Sequence, residues 1–419
     1  MYAALPPSVQ AKVFGRTPNN MRKVVLATNI AETSITIPGV KYVIDTGLCK
    51  EKRYFPRGRG SGVDALLVQA ISKSSALQRT GRAGREGEGW CFRLYTEQAY
   101  TTQFAEAAIP EIQRCNLTHA ILQMKCLGQN PEVADFMDAP SQDTSALQED
   151  GDVTRIGRWM ASFPLDPPRS RAILESINIP NSTSYLLSVI SLLSTTGKVF
   201  YDSKDREAAA EAKLKFRHRS GDHLTLLNVL KSYEEVISGS NLALDDGKPK
   251  GKRVEMDSDG RSSSKRNVAK EWCKTNFLNE RALKEALDIR KQLRETCERQ
   301  DVDWKSSERS RKPEGDNDDE GVLRSLLAGL WQNTAMITPD GSYKQVVGGQ
   351  PVKIHPSSSL FGRKVPAIMY DELIVTSNTY AMGVSSIPQA WLLELHFFKQ
   401  QVPGKSQPGN PTAEPPALR

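Results

Sequence analysis

The sequence predicts a multidomain fold: an α/β region first, then a mostly helical region, then a small β-barrel. Short β-branched runs at residues 24–27 and 40–44 are bounded by turn signals, as in the buried strands of a parallel sheet. Short apolar runs between 345 and 376 alternate with Gly, Pro, Ser and Asn, which is typical of a small barrel. Apolar residues recur at helical spacing in the segments between, at 116–127, 144–162, 184–194, 222–237 and 271–299.

Composition limits the class of protein. The 419 residues leave room for about two to four domains, and the net charge of +7 permits a polyanionic partner. Six widely spaced cysteines form no C-x-x-C pair, which argues against a zinc site and a disulfide framework. The sequence has no apolar run long enough for a membrane span and no signal peptide at its start, so we expect an intracellular protein without a membrane partner.

Polar, charged segments separate the predicted domains. Residues 239–268 are rich in Gly, Ser and charge and cannot bury enough apolar surface to fold, so they are predicted to be a disordered insertion. Residues 304–320 are again strongly charged and predict a linker. The residues after 402 are Pro-rich and predict a loose tail.

The strongest motif is Gln78-Arg-Thr-Gly-Arg-Ala-Gly-Arg85, which follows the candidate helix caps Ser72, Ser74 and Ser75. Each glycine costs a helix about 0.8–1 kcal/mol relative to Ala, so two of them indicate that something approaches the backbone closely. On a helix, Gln78, Arg82 and Arg85 share one face, and two guanidinium forks suit a triphosphate. The alternative is the solvated basic end of a helix.

A second motif, Thr28-Asn-Ile-Ala-Glu-Thr-Ser-Ile-Thr36, follows the first predicted strand. Hydroxyl groups and a helix N-terminus at the end of a parallel strand suit the phosphate oxygens of a nucleotide or a nucleic acid. A plain capping turn remains the alternative.

Together the two motifs resemble motifs V and VI of the DEAH-box RNA helicases, in the family's order and separation. The resemblance continues through Glu111-Ile-Gln-Arg-Cys-Asn-Leu, Leu165-Asp-Pro, Gly221-Asp-His-Leu, Trp272-Cys and Ile354-His-Pro-Ser-Ser. It implies a RecA-like partial domain (1–98, lacking its N-terminal part), a winged helix (99–165), a helical ratchet domain (166–300, with the insertion), a linker (301–320), an OB-fold barrel (321–402) and a tail (403–419).

The resemblance also implies roles in nucleotide chemistry. Arg82 and Arg85 match arginine fingers that reach the γ-phosphate, and Gln78 would place the attacking water or the phosphate. Phe14 matches the aromatic residue that stacks on the base, although a core role is open for it; Thr36 matches a contact on the ribose side, and Gly81 belongs to the same nucleotide-binding set. The implied cofactor is ATP with Mg²⁺, with no metal ligand expected in this chain.

For RNA, Thr28, Asn29 and Thr33 match positions that touch phosphates without reading bases. Residues 50–62 resemble a β-hairpin that wedges the RNA stack, and Arg53, Tyr54, Arg57 and Arg59 give it the basic and aromatic character that suits a single strand. An exposed turn is the alternative for these residues. The implied partners are single-stranded RNA, expected to be pre-rRNA, and an activating protein at the OB-fold.

Three departures from the family pattern matter. Pro38 stands where many members have an acid, and Met382 stands where the family often has Arg. The sequence also contains neither G-x-x-x-x-G-K-[ST] nor Asp-Glu-Ala-His. We therefore expect this chain alone to be inactive as an ATPase, whereas an intact family member would couple hydrolysis to 3′-to-5′ translocation on RNA.

Residues 77–86 and 110–117 look closest to the nucleolar subgroup that acts in rRNA processing and ribosome biogenesis, so a nuclear, nucleolar protein is expected. A splicing helicase of the same family, a catalytically inactive RNA-binding scaffold and a related DNA helicase are the alternatives.

Overall fold

The structure is a computed structural model that describes residues 10–56, 62–128, 146–147, 152–201, 205–239, 263–305, 317–375 and 378–394. The chain divides into two compact units. The first holds residues 1–55, 63–116 and 375–377, and the second holds residues 56–62, 117–374 and 378–419.

Two short two-stranded sheets and two helices are formed among the described residues of the first unit. Its elements are β1 (Tyr42–Asp45), β2 (Leu48–Pro56), β3 (Gly62–Ala70), α1 (Lys73–Thr80), β4 (Trp90–Arg93) and α2 (Glu97–Thr102). β1 and β4 run parallel, which places Tyr42 opposite Trp90 and Ile44 opposite Phe92. β2 pairs with β3, so the hairpin predicted for residues 50–62 is present as two paired strands.

The strand predicted at residues 24–27 is not formed. Val24 and Leu26 lie in irregular backbone and are 82% and 84% exposed. A strand needs a neighbour to satisfy its backbone groups, and no described strand pairs with these residues. The strand predicted at 40–44 occurs as β1, but Tyr42 and Ile44 are exposed and Asp45 is its buried residue.

Helices dominate the second unit. They are α3 (Thr118–Cys126), α4 (Arg155–Ala161), α5 (Pro167–Ser176), α6 (Thr183–Leu193), α7 (Arg206–Leu214), α8 (Asp222–Ser238), α9 (Ser263–Thr275), α10 (Glu280–Arg299), α11 (Asn317–Leu330) and α12 (Gln389–Glu394). α6 is buried along almost its whole length, and α5 meets α11 where a Cβ on Gly329 would lie 1.9 Å from the carbonyl oxygen of Pro168. Only glycine permits so close an approach.

Seven strands that lie between α11 and α12 along the chain form one sheet. They are β5 (Thr334–Ile337), β6 (Tyr343–Gln345), β7 (Pro351–Ile354), β8 (Ala367–Met369), β9 (Glu372–Val375), β10 (Thr379–Met382) and β11 (Ser385–Ile387). Their order is β11-β8-β5-β6-β7-β10-β9, with β10 parallel to β7 and antiparallel pairing within β11-β8-β5-β6-β7. Strands therefore form where the sequence predicts the C-terminal β region.

The helical patterns form helices with two exceptions. The pattern at 271–299 is divided between the end of α9 and α10, with a break at residues 276–279. Among the described residues of the range 144–162, the helix covers only α4, and Leu147 and Val153 form an isolated antiparallel bridge instead.

The two charged segments contain more structure than their composition suggests. α9 begins at Ser263, inside the predicted insertion 239–268, of which residues 240–262 lie outside the described part. In the predicted linker 301–320, Val302 and Trp304 join the main core, and α11 starts at Asn317. Arg294 lies 4.2 Å from the Trp304 ring, so a charged neighbour covers the indole instead of preventing its burial. The tail after residue 402 is outside the described residues.

Among the described residues, no helix combines the length and the apolar character that crossing a membrane requires.

Candidate functional site

The motif at 78–85 begins on a helix and ends in a turn. Ser72 caps α1, since its Oγ accepts a hydrogen bond from the N–H of Ser75 at 3.2 Å. The helix stops at Thr80, and the N–H of Gly81 closes the last turn on the carbonyl of Leu77 at 2.9 Å. Gln78 is exposed on that last turn.

Arg82 and Arg85 therefore do not share a helix face with Gln78, and that prediction is wrong. Two glycines within four residues favour ending the helix over extending it. Both arginines lie in residues 81–86, named here the arginine turn.

The arginine turn is held in place from one side. A Cβ on Gly89 would lie 2.2 Å from the carbonyl oxygen of Ala83, so the chain entering β4 packs directly against the turn. Gly84, by contrast, has no atom within 4 Å of the position that a Cβ would take. The backbone at Gly84 is thus open to the close approach that the paired glycines predicted.

Side-chain and backbone bonds join the arginine turn to the second motif. Arg85 Nη1 donates to Thr36 Oγ1 at 2.5 Å, and Arg82 Nη1 donates to the carbonyl of Ile35 at 3.4 Å. The N–H of Gly39 donates to Glu86 Oε2 at 3.0 Å. The structure thus brings Thr36, Arg82 and Arg85 together, as expected of residues that share one ligand.

The electrostatics of the turn favour an anion. Burial and the like charge of Arg85 together lower the pKa of Arg82 below its usual value. A phosphate between two guanidinium forks would offset that repulsion and accept hydrogen bonds from both. Across the described residues, no group of three His, Cys, Asp or Glu side chains could hold a metal ion.

The motif at 28–36 is less regular than predicted. Its helix is only a three-residue 3₁₀ turn, Asn29–Ala31, and the side chain of Thr28 makes no capping hydrogen bond to it. Thr28, Asn29 and Thr33 are exposed. The simple capping-turn reading therefore lacks its defining bond, and these three polar side chains face solvent.

Phe14 ends another 3₁₀ turn, Lys12–Phe14, and is 46% exposed. The core role left open for it by the sequence does not hold, which leaves its ring accessible.

Arg79 is the residue that sequence reasoning missed. Its Nε donates to Glu32 Oε2 at 3.0 Å, and its Nη1 donates to Asp45 Oδ1 at 2.7 Å and to the carbonyl of Leu48 at 3.2 Å. Burial alone would lower the pKa of Arg79, but the hydrogen bonds that it donates to Asp45 and Glu32, together with the charges of these carboxylates, outweigh burial and raise the pKa. The sequence offers one signal for this role, because Arg79 lies three residues after the apolar Ala76 and therefore on the same face of α1, which the structure shows to be the inner face.

The hairpin is anchored at its base. Arg53 and Tyr54 lie half-buried on β2, and the N–H of Tyr54 donates to the carbonyl of Arg114 at 2.8 Å. Arg114 also forms an ion pair with Glu51 at 3.5 Å, which ties the hairpin to the motif at 111–117. Arg57 and Arg59 are outside the described residues.

In the second unit, the motif that begins at Gly221 holds the segment that follows β7. Asp222 Oδ1 accepts hydrogen bonds from the N–H and the Oγ of Ser359, both at 2.7 Å, and Oδ2 accepts from the N–H of Val384 at 2.9 Å. Gly221 has φ +121°, and a Cβ there would lie 2.3 Å from the carbonyl oxygen of Val384. Next to it, Nδ1 of the fully buried His223 lies 2.7 Å from Ser385 Oγ.

The segment held in this way ends in an exposed aromatic and basic loop. Phe361 is 55% exposed, and Arg363 and Lys364 follow it on the surface. Arg217 donates to the carbonyl of Ser359, which fixes the start of the loop. An aromatic ring beside cationic side chains is suited to the bases and phosphates of a single strand.

The sequence matches the family described as "Helicase conserved C-terminal domain" over residues 1–87 and the family described as "Oligonucleotide/oligosaccharide-binding (OB)-fold" over residues 322–397. It is 38% identical over 409 residues to the ATP-dependent RNA helicase DHX33 of Mus musculus, covering 94% of this chain and 52% of the relative. It is also 38% identical over 419 residues to DHX33 of Homo sapiens, covering 96% of this chain and 53% of the relative.

The pre-mRNA-splicing factor ATP-dependent RNA helicase prp22 of Schizosaccharomyces pombe is 36% identical over 414 residues, covering 95% of this chain and 32% of the relative. The chain thus spans about half the length of the first two relatives.

Proposed function

We propose that this chain, which belongs to the DEAH-box family of RNA helicases, supplies the arginine fingers and much of the RNA grip of an ATP-dependent RNA helicase. The observation that carries the proposal is the junction of the two motifs, where Arg85 bonds Thr36 and Arg82 bonds the backbone of Ile35. That junction fixes two guanidinium groups beside an open stretch of backbone at Gly84.

The chemistry assigned to the junction is charge stabilisation. Negative charge spreads over the phosphoryl oxygens during ATP hydrolysis, and guanidinium groups already fixed in place stabilise it without reorganising. Arg82 and Arg85 would supply that charge, and Gln78 would orient the water or the phosphate.

Phe14 would stack on the base, Thr36 would face the ribose, and Gly81 would leave room for the nucleotide. The phosphate cradle and the Mg²⁺ ligands are assigned to a P-loop domain outside residues 1–419.

The RNA contacts are assigned to exposed polar and basic groups. Thr28, Asn29 and Thr33 would hold phosphates, and Arg53, Tyr54 and Arg57 would act through the hairpin. Contacts of this type grip a single strand without reading its sequence. Hydrolysis would then drive 3′-to-5′ movement or remodelling of RNA.

The test is steady-state ATP turnover, with and without single-stranded RNA, by the chain joined to its P-loop domain. Arg82→Lys and Arg85→Ala are each expected to lower turnover by about 10³- to 10⁵-fold, the usual loss when an arginine finger is removed. Lysine does not rescue Arg82, because a point charge lacks the bidentate fork.

Arg93→Lys is the matched control, since Arg93 is exposed on β4 and lies 4.9 Å from the Tyr100 ring. Turnover close to wild type in both finger variants would refute the assignment. The 419-residue chain alone is expected to show no turnover.

For the pathway, we propose rRNA processing in the nucleolus, supported by the likeness of residues 77–86 and 110–117 to the nucleolar subgroup. A splicing role is the second candidate, supported by the likeness to the splicing factor prp22. Sequencing of RNA crosslinked to the protein in cells separates the two, because pre-rRNA would dominate in the first case and pre-mRNA in the second. The proposed activating partner would dock on the OB-fold.

A further inference from the structure

Three segments of the first unit meet at one buried guanidinium. Arg79 donates to Glu32, which directly precedes Thr33, to Asp45 at the end of β1, and to the carbonyl of Leu48 at the start of the hairpin strand β2. The exposed fractions of the side chains are 15% for Arg79, 12% for Glu32 and 0% for Asp45. Arg79 itself stands three residues before Arg82.

We propose that Arg79 is a positioning residue that couples RNA binding at the motif of residues 28–36 and at the hairpin to the placement of the arginine turn. The inference rests on the proposed function, because it assumes that RNA contacts the motif of residues 28–36 and the hairpin, and that the nucleotide contacts the arginine turn. Arg79 itself would contact neither ligand, and it would act by linking the segments that contact them.

Geometry makes Arg79 suited to this role. A planar guanidinium has five N–H donors in a fixed fork, so it holds several acceptors at set angles to one another. A shift of Glu32 or of the β1–β2 junction must then either move α1 with it or break a buried ion pair. Breaking such a pair is costly because the surrounding dielectric constant is low, so movement of α1 is the easier response.

Asp45 gives the fork a fixed point. Its Oδ2 accepts from the hydroxyl of Tyr95 at 3.0 Å, and its Oδ1 accepts from the N–H of Gly47 at 3.0 Å. Gly47 has φ +71°, and a Cβ there would lie 2.6 Å from the Tyr95 ring, so ring and backbone are in close contact. Burial and the charge of Asp45 raise the pKa of Tyr95 to about 12, which keeps its hydroxyl a donor at neutral pH.

The second unit contains a comparable arginine that the inference does not include. Arg290 is 9% exposed, donates to Ser188 Oγ at 3.0 Å and forms a two-pronged ion pair with Glu234. It links α6, α8 and α10, where sequence and structure place no part of the nucleotide junction. Arg290→Lys therefore serves as a control for the loss of a buried fork as such.

The experiment uses the full protein, including its P-loop domain. ATP turnover is measured with and without single-stranded RNA, and RNA affinity is measured with and without a non-hydrolysable ATP analogue. In Arg79→Lys, the stimulation of turnover by RNA is expected to fall about tenfold, within the range of typical coupling between sites. RNA-free turnover should stay within about threefold of wild type, since the bonds of Arg82 and Arg85 remain.

Coupling is reciprocal, so the change in RNA affinity caused by the ATP analogue should shrink by a similar factor. Replacing a residue with only a structural role would leave unchanged the ratio of the RNA affinities measured with and without the ATP analogue. Arg290→Lys is expected to lower the melting temperature while leaving both the stimulation and the affinity ratio at wild-type values.

Undiminished stimulation in Arg79→Lys would overturn the inference, as would an equal loss of RNA-free and RNA-stimulated turnover. If Arg79→Lys does not melt cooperatively, Tyr95→Phe makes the same comparison, because it removes only one bond to Asp45 and keeps every charge. A smaller loss of stimulation is then expected, and none would overturn the inference. If RNA does not change the ATP turnover of the wild-type protein, the proposed function is refuted, and the inference with it.

Discussion

In the second unit many large side chains that are fully buried are apolar, such as Phe163, Leu187 and Leu230, and one apolar cluster includes residues from most of its helices. In the first unit Tyr42 is 64% exposed and Trp90 is 66% exposed, although they face each other across paired strands, whereas the carboxylate of Asp45 is fully buried. The same residue types that form the core of one unit lie on the surface of the other.

The difference separates two ways of fixing a structure. Burial of apolar area stabilises the second unit at roughly 25 cal/mol per Å², without regard to direction. The ion pairs around Arg79 contribute little net free energy, because desolvation offsets their attraction, but they fix angles and distances. The first unit is therefore expected to be the less stable of the two and the more exact in its polar geometry.

The largest expected effect comes from removing a core side chain in the second unit. Leu187→Ala should lower the free energy of unfolding by about 2–5 kcal/mol, because it deletes buried methyl groups and leaves a cavity. Leu94→Ala in the first unit, at 65% exposure, should change it by no more than about 0.5 kcal/mol.

Hydrogen exchange followed by mass spectrometry measures both, since peptides report on each unit separately. Equal losses for the two variants would erase the contrast between the units.

A smaller effect is expected from the one carboxylate that holds the aromatic and basic loop. Asp222→Asn should cost the second unit about 1–3 kcal/mol, because an amide cannot accept all three bonds that Asp222 accepts from Ser359 and Val384.

The matched control is Asp205→Asn, which alters an exposed helix cap that accepts a hydrogen bond from the N–H of Ala208 and should cost a few tenths of a kcal/mol. Exchange protection at 355–361 and 384–386 is the measurement. Protection as high as in wild type would show that apolar packing alone fixes this loop.

The smallest expected effect is a pH dependence confined to the second unit. Burial lowers the pKa of His223 below 6.5, so His223 is neutral in the fold and charges more readily on unfolding. A depressed pKa contributes stability above about pH 6.5 that is lost as the pH falls further, at up to about 1.4 kcal/mol per pH unit.

Denaturation midpoints of the second unit between pH 7 and pH 5 test this, and His223→Gln should flatten the slope. An unchanged slope in the variant would assign the pH dependence to other groups.

The sequence predicts the helices well because their apolar spacing is local information, as α6 and α8 demonstrate. It also predicts that Thr36 and the two arginines act together, although only through family resemblance. The end of α1 depends instead on the balance between the low helix propensity of glycine and tertiary contacts. Whether residues 24–27 form a strand depends on the presence of a partner strand. Arg79 was missed because its partners Glu32 and Asp45 are 47 and 34 residues away along the chain.

The position of Trp304 could not be predicted from composition either. Its neighbours are charged, but its indole reaches the core while Arg294 covers it. Charge content alone therefore misplaced the boundary of the linker.

Gly89 has a consequence for inherited and engineered variation. It is an exposed residue outside both motifs, and a screen that ranks positions by burial would class it as tolerant. Any side chain at position 89 would press on the backbone of Ala83 and displace the neighbouring Arg82 and Arg85. If the proposed function holds, a missense change at Gly89 is therefore expected to lower ATP turnover although Gly89 itself contacts no ligand, a profile usually attributed to active-site residues.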